Sequence, residues 1–434
     1  MRAMLLLLAV LAASPAHAEL ASLFGIGPKS EAMGGVALIQ GEANAYQVYS
    51  APASLGFLHR VEIDFGAEYF QPNLKPFGTL NLNSSGTKGE FSDPGVLPGG
   101  GNLLAFALPL GSSRPLTIGG SIYLPWASLI RISGSPVDYP FYPLYTDLSR
   151  NFFFVVGAGY EPIDGLALGV NVRSTTKSNV TYVLRTDSSV NYSASATEAK
   201  SESRLSYSIL YDNERRHPGE AAAAAFTLGA MYRGRAGMES KIGADVSAFV
   251  PVQGVLISNP SYTPAEIVLM GTWRVWPKWI FSAEVSRVQW SGYVSPYGTG
   301  NINTYVIGDK AAPANFHDIT VPRIGVEFKE PLGGTLLKSM AYRVGYQYHP
   351  TPVPDQTLDS NFVDENRHLF SAGIGAGFAN PWREADVIDL DLFFQYNLLK
   401  NRQISKASAQ NVGAPGYLAG GNILLIGGGI TLKF

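Results

Sequence analysis

The sequence predicts an all-β fold: a transmembrane antiparallel β-barrel of about fourteen strands with an N-terminal periplasmic hatch inside its lumen. Three observations carry this reading. The chain opens on a secretory leader. Segment after segment alternates apolar and polar residues, with the charges kept to one parity. The composition is poor in charge (15%) and rich in aromatics (12%) and glycine (47 residues). Only helices and closed barrels satisfy their backbone groups in lipid. Beyond the leader, no run of about 18 apolar residues offers a spanning helix. The net charge of −2, with no basic cluster, gives no field for nucleic acid. There is no cysteine, hence no disulfide framework and no thiolate site.

The leader reads "MRAMLLLLAVLAASPAHAEL". Arg2 supplies the positive start, residues 4–13 the apolar stretch, and Ala16-His17-Ala18 the small-residue cleavage site. Residues 1–18 are therefore expected to be a signal peptide that is removed. Residues 19–59 show no strand-like alternation. They contain "AMGGVALIQGEANAYQVYSAPASLGFLHR", too apolar for a disordered tail. They are expected to fold into the barrel as a plug, with residues 60–434 forming the wall.

In the wall, side chains of a strand point to opposite faces with period two. "RVEIDFGAEYF" sets Val61, Ile63, Phe65, Ala67 and Tyr69 against Arg60, Glu62, Asp64 and Glu68. "MAYRVGYQYH" and "VIDLDLFFQYNL" repeat the pattern. Mid-strand charges fit a polar lumen, with the other parity in lipid. Strands are expected to begin near residues 60, 102, 116, 151, 166, 221, 239, 264, 278, 319, 339, 368, 387 and 421. "RLSYSILY" (residues 204–211) alternates weakly, and because an even strand number is expected it is assigned to a loop. Connections then alternate long and short, which places both termini on the periplasmic side. Tyr69, Phe70, Trp273, Trp276, Trp279, Trp290, Tyr293 and Phe434 gather near strand ends, as interfacial girdles do. The last segment, "NILLIGGGITLKF", is a strand that closes the barrel against the first, with Phe434 at the periplasmic rim.

At this point the chain resembles the FadL family, outer-membrane transporters of long-chain fatty acids and other hydrocarbons. "YSAPASLGF" is similar to the family's hatch motif, with Ser50, Ala51, Pro52 and Ala53 at the place and Ser50 and Ala51 where asparagine is usual. "PKWIFSAEVSRVQWSGY" resembles a family strand ending in Trp-Ser. The most specific match is "YRVGYQYHPTPVPDQTLDSNFVDENRHLFSAGIG", in which Pro352-Val353-Pro354 and Asp364 to Arg367 fill the family's loop. The resemblance runs through nearly the whole chain after the leader. It implies a monomer in the bacterial outer membrane that takes up a hydrophobic small molecule, contacts membrane lipid, and is delivered by the barrel-assembly machinery. Phe434 resembles the assembly signal. The resemblance also implies a side opening at the third strand, where Gly119, Gly120 and Pro125 would form the kink.

No enzymatic chemistry stands out. The histidines do not pair at metal-ligand spacing, and neither H-E-x-x-H nor a nucleophile elbow is present. No metal and no cofactor is expected. Glu62, Asp64, Asp245, Glu284, Arg323, Glu327, Arg343, Asp389 and Asp391 take the inward parity, as ion pairs that fill the lumen and hold the hatch. Arg323, Arg343 and Lys241 are the candidates for meeting a ligand carboxylate. Apolar stretches at residues 135–148 and 252–264 are candidate capture loops. The alternatives are a solute-specific porin, which needs an open wet channel, and a loop-mediated surface binding or adhesion protein.

Overall fold

Alternation alone leaves the register open; hydrogen-bond pairing settles it. The structure, a computed structural model, describes residues 23–38, 43–82, 85–111, 116–126, 140–145, 152–184, 192–216, 225–245, 253–293, 314–379 and 387–434. The expected signal peptide, residues 1–18, lies outside them. In chain order the strands are β1 (Glu62–Leu74), β2 (Gly78–Asn81), β3 (Lys88–Phe91), β4 (Gly99–Leu110), β5 (Leu116–Pro125), β6 (Phe153–Ile163) and β7 (Leu166–Leu184). Then follow β8 (Tyr192–Asp212), β9 (Ala225–Arg233), β10 (Ala236–Asp245), β11 (Gln253–Thr263), β12 (Ala265–Trp276) and β13 (Trp279–Gln289). The last five are β14 (Ile319–Pro331), β15 (Leu337–His349), β16 (Arg367–Ala379), β17 (Val387–Ser405) and β18 (Gly416–Lys433).

Fourteen of these close into one antiparallel barrel, each against its neighbour in sequence, with β1 paired to β18 from Glu62↔Lys433 to Leu74↔Gly421. β2–β3 and β10–β11 are hairpins outside the wall. Closure leaves no strand edge. One parity faces lipid and the other the lumen: Leu392 is 62% exposed and Phe393 beside it 6%. Phe65, Leu269, Val344, Phe370 and Ile426 belong to the same outer belt.

The count of fourteen agrees with the sequence, but two assignments within it change places. Residues 204–211 are part of β8, a wall strand paired to β7 and β9. Leu205, Tyr207 and Ile209 face lipid, while Ser206 and Ser208 face in. Serine on the inner face weakened the contrast, because this part of the lumen must stay small. The strand expected near residue 239 is β10, half of a hairpin that stands against β7. Lys241 and Asp245 therefore belong to a strand that is not part of the barrel wall, and their side chains lie outside the described residues. Among the aromatics, Trp276, Trp279 and Phe434 lie exposed, near the rim with short turns. Phe70, Trp290 and Tyr293, by contrast, are buried inside rather than placed in a girdle.

The first described residues, 23–38 and 43–59, lie within the barrel and are almost wholly buried. They form a short helix Pro28–Ala32, another at Gln47–Ser50, and a 3₁₀ turn Pro52–Phe57 begun by Pro52, whose fixed φ suits the first position.

Candidate functional site

The lumen divides into two zones, and the N-terminal segment makes the lower one. A segment with so little regular structure must satisfy its backbone groups elsewhere. Wall side chains do this from around the barrel. Asn171 Nδ2 on β7 donates to the Val48 carbonyl at 2.6 Å. Ser208 Oγ on β8 accepts from Ala53 N at 2.8 Å. Glu284 on β13 accepts from Ala37 N at 2.8 Å, and Glu62 on β1 accepts from Ala45 N at 3.0 Å. Ser371 on β16 accepts from Gly34 N and donates to the Ala32 carbonyl, at 2.8 and 2.9 Å. Gln395 on β17 donates to the carbonyls of Phe24 and Glu31, both at 2.8 Å.

Such bonds need close approach, and wall glycines permit it. Gly159 and Gly169 are register partners on β6 and β7; Gly325 and Gly345 are partners on β14 and β15. A β-carbon on Gly169 would stand 2.0 Å from Ala53 N, and one on Gly345 2.1 Å from Gly34 N. Gly159 likewise faces Gly56, and Gly325 faces Met33. The motif Ser50, Ala51, Pro52, Ala53 thus sits on the first glycine pair. Its turn is fixed from within by Ser54 Oγ donating to the Ala51 carbonyl at 2.8 Å.

Ion pairs complete the lower zone. Arg343 donates to Glu327 and to Asp391, each at 2.5 Å, with all three buried. Arg323 donates to Glu284 and to Ser286, while Arg233 bonds Glu266 and lies over the Tyr49 ring at 4.7 Å. Lys29 and Lys433 share Asp389 at 3.3 and 2.9 Å. Of the charges expected to fill the lumen, Glu284, Arg323, Glu327, Arg343, Asp389 and Asp391 are brought together as ion pairs, whereas Glu62 accepts from Ala45 N, Asp64 accepts from Thr431, and Asp245 is on β10. The two arginines offered as ligand contacts, Arg323 and Arg343, are engaged by carboxylates of the wall itself. A cavity of about 270 Å³ remains beside the segment, lined by Leu38, Gln47, Phe57, Asp212, Arg215 and Lys433 among others.

The upper zone is apolar. Phe77 packs on Tyr417 and Tyr142 with ring centroids 5.1 and 5.8 Å apart. Phe316 packs on Tyr293 and Phe362 at 4.7 and 5.3 Å. Except for Tyr417, which is on β18, these rings come from the connections and join inward residues of the wall, among them Val321, Leu369, Phe393, Ile423 and Leu425. Phe24 of the N-terminal segment reaches the same cluster and meets Phe70 at 6.1 Å. Of the expected capture loops, residues 140–145 are described and bury Tyr142 and Tyr145 here; residues 135–139 and 146–148 lie outside the described residues. So do the side chains of 253–262 and that of Lys241.

The residues expected to kink the third strand are regularly paired. β5 runs against β4 from Leu110↔Leu116 to Gly101↔Pro125 and against β6 from Leu116↔Tyr160 to Tyr123↔Phe153, without a register shift. Gly119 faces Leu55 and Val48, and Gly120 lies under the Phe106 ring. Pro125 is at the end of the strand, past the last pair with β6. Phe434 N donates to the Val61 carbonyl at 3.0 Å and closes the seam.

An antiparallel barrel with a lipid-facing belt, a filled lumen and a seam between its first and last strands at the short-turn rim is a transmembrane β-barrel of the bacterial outer membrane. Comparison with solved structures defines the fold further. A Pseudomonas aeruginosa FadL homologue aligns over 94% of this chain and 98% of its own, with TM-score 0.60 and 13% identity. The toluene transporter TodX of Pseudomonas putida aligns over 95% and 98% (TM-score 0.51, 15% identity). The toluene transporter TbuX of Ralstonia pickettii aligns over 95% and 99% (TM-score 0.51, 17% identity). The chain therefore has the FadL fold. In sequence it is 26% identical over 175 residues to alkane uptake protein A of Marinobacter nauticus, a stretch covering 40% of this chain and 37% of that relative. No family model matches the chain.

Proposed function

We propose that the chain is a passive outer-membrane transporter that takes up hydrophobic molecules, long-chain fatty acids or related hydrocarbons. The observation that carries this reading is the stacking of the two lumen zones: an aromatic zone under the outer connections, directly above a segment held by wall side chains. An apolar molecule leaves water for the upper zone because burial of its surface is favourable. A porin needs an open aqueous path, and residues 23–59 occupy that path. Similarity to an alkane uptake protein and to toluene transporters points the same way. The test is uptake of labelled hexadecane, toluene and palmitate by cells expressing the full chain, with conductance measured in planar bilayers. Uptake above the empty-vector level with a silent bilayer is expected. Steady conductance without uptake overturns the reading in favour of a porin.

In this reading the protein acts as a monomer, residues 19–59 serve as the hatch, and cargo is released sideways into membrane lipid at the upper end of β5. There the pairing with β6 stops at Tyr123↔Phe153 while the pairing with β4 continues to Pro125. Proline withholds a ladder donor. Pro125→Thr returns it, and uptake should fall roughly tenfold, the effect of about 1.4 kcal/mol. Binding should be unchanged. Phe434 completes the outward row for delivery by the barrel-assembly machinery, so Phe434→Asp should lower the amount of folded, heat-modifiable protein rather than uptake per folded molecule.

A further inference from the structure

The first wall strand carries an acidic row that its surroundings do not balance. β1 turns Glu62, Asp64 and Glu68 to the lumen, and all three are buried. The inward position between Asp64 and Glu68 is Gly66. There the hydroxyl of Tyr46, from the N-terminal segment, takes the place of a side chain: it lies 3.0 Å from where a β-carbon on Gly66 would stand. Tyr46 is 5% exposed, and its hydroxyl has no hydrogen-bond partner among the described residues. From the segment's helix Pro28–Ala32, Glu31 reaches the same row and is 1% exposed. Its carboxyl is hydrogen-bonded to that of Glu68, and the carboxyls of Glu62 and Asp64 are bonded to each other. No N–H or hydroxyl among the described residues donates to Glu31 Oε2.

An ionised carboxylate only accepts, so two carboxyls can hydrogen-bond only if one carries a proton. Side by side they share that proton, because both cannot ionise at once. Nearby cations could stand in for it, and the two pairs differ in this respect. Lys29 of the helix and Lys433 of β18 face Glu62 while also holding Asp389 of β17. Arg343 of β15 is taken by Glu327 and Asp391. β16 meets the helix through Ser371 and Gly373, without a charge. β5 adds the Tyr123 hydroxyl, bonded to Glu68. Among the described residues no cation faces Glu31 and Glu68.

We propose that Glu31 and Glu68 form a proton-binding clasp: one shared proton fastens the helix Pro28–Ala32 to β1, and loss of that proton unfastens it. Tyr46 stands between this pair and the Glu62–Asp64 pair. Glu62 in turn lines the cavity of about 270 Å³ together with His59 and Arg60, which are exposed. The row of carboxyls and hydroxyl is the route by which the proton exchanges with solvent. The docked helix keeps a proton that the released one gives up, so docking is complete at low pH and weakens as pH rises. The clasp acts whatever the cargo and does not rest on the transport reading.

Hydrogen exchange of the purified full-length protein, corrected for its intrinsic pH dependence, tests the clasp together with infrared spectroscopy. In wild type, exchange at residues 26–33 should rise at least about tenfold between about pH 6 and about pH 9, while residues 48–56, seated on Gly159 and Gly169, stay protected. Glu31→Gln gives Glu68 an amide donor in place of the proton, so its profile at residues 26–33 should be flat. The change lies in the segment and leaves the wall intact. Glu68→Gln makes the same replacement from the wall and should flatten the profile too. The infrared difference between wild type and Glu31→Gln at neutral pH should show the carbonyl stretch of a protonated carboxyl lost in the variant. A flat profile in wild type overturns the proposal. So does a variant as steep as wild type, or a difference spectrum in which no protonated carboxyl is lost.

Discussion

The lower and upper zones of the lumen are built by opposite rules. Below, wall side chains bond backbone groups of the segment from around the barrel, and Arg233, Arg323 and Arg343 meet carboxylates. Above, rings meet rings, and among the described residues Arg367, Gln347 and Asn397 keep side-chain atoms with unmade hydrogen bonds. A paired polar zone holds a segment in one place because breaking any pair strands a buried charge. An apolar zone is less particular, because burial is non-directional. In the transport reading, holding and receiving are thus separated along one axis.

The largest effect should come from spoiling the seats. Gly169→Val together with Gly345→Val places side chains where the backbones of Ala53 and Gly34 lie. The barrel should assemble with its segment displaced, and bilayer conductance should rise from silent to steady, as it should on deletion of residues 19–59. A folded double variant as silent as wild type would show that the seats do not hold the segment. Next in size is the buried triad. Arg343→Met leaves Glu327 and Asp391 unpaired, which costs about 3–5 kcal/mol when a buried pair is broken. The unfolding midpoint in detergent should drop accordingly. Adding Glu327→Gln and Asp391→Asn should recover most of the loss; if it does not, packing rather than charge pairing explains the site.

The smallest effect tests the upper zone by pH. Asp364 and Glu365 in the connection between β15 and β16 have carboxyls raised by burial, to about 7 and about 9. Both favour the protonated form when docked, so their contribution is full below about pH 4. It is lost as pH rises through 7 and then 9. Hydrogen exchange, corrected for its intrinsic pH dependence, should show residues 350–366 losing protection between pH 6 and 9.5 while residues 43–59 keep theirs. Equal loss in both places would erase the distinction between the zones.

Much of the wall was legible because lipid outside and charge inside impose a strict period of two. "VIDLDLFFQYNL" reads correctly residue by residue: Leu390, Leu392 and Phe394 face out, and Asp391 and Gln395 face in. The reading failed where the inner face is small instead of charged, as in Ser206 and Ser208 of β8. It failed again in β10, where a hairpin outside the wall alternates like a spanning strand. The seats were hidden for another reason. Gly159, Gly169, Gly325 and Gly345 are single residues on strands far apart in sequence, and nothing local says that a backbone will come against them. An inward glycine paired across strands to another is the signal that was available. The arginines were weighed by parity alone; which of them lacks a carboxylate depends on neighbours brought by register.

The order of the contacts along the segment sets a chronology for making the molecule. Residues 48–56 lean on β5 to β8, through Gly119, Gly157, Gly159, Gly169, Asn171 and Ser208. Residues 24–37 lean on β13 to β17, through Glu284, Gly325, Gly345, Ser371, Gly373 and Gln395. The half nearest β1 finds its partners among the early strands, where little intervening chain has to be closed. The other half must wait for strands some three hundred residues later, and contacts that distant form slowly. The final seam ties Thr431 to Asp64 across 367 residues of sequence. Contact order alone thus predicts that the segment is first anchored at one side, and that the last third of the chain completes both its seat and the wall.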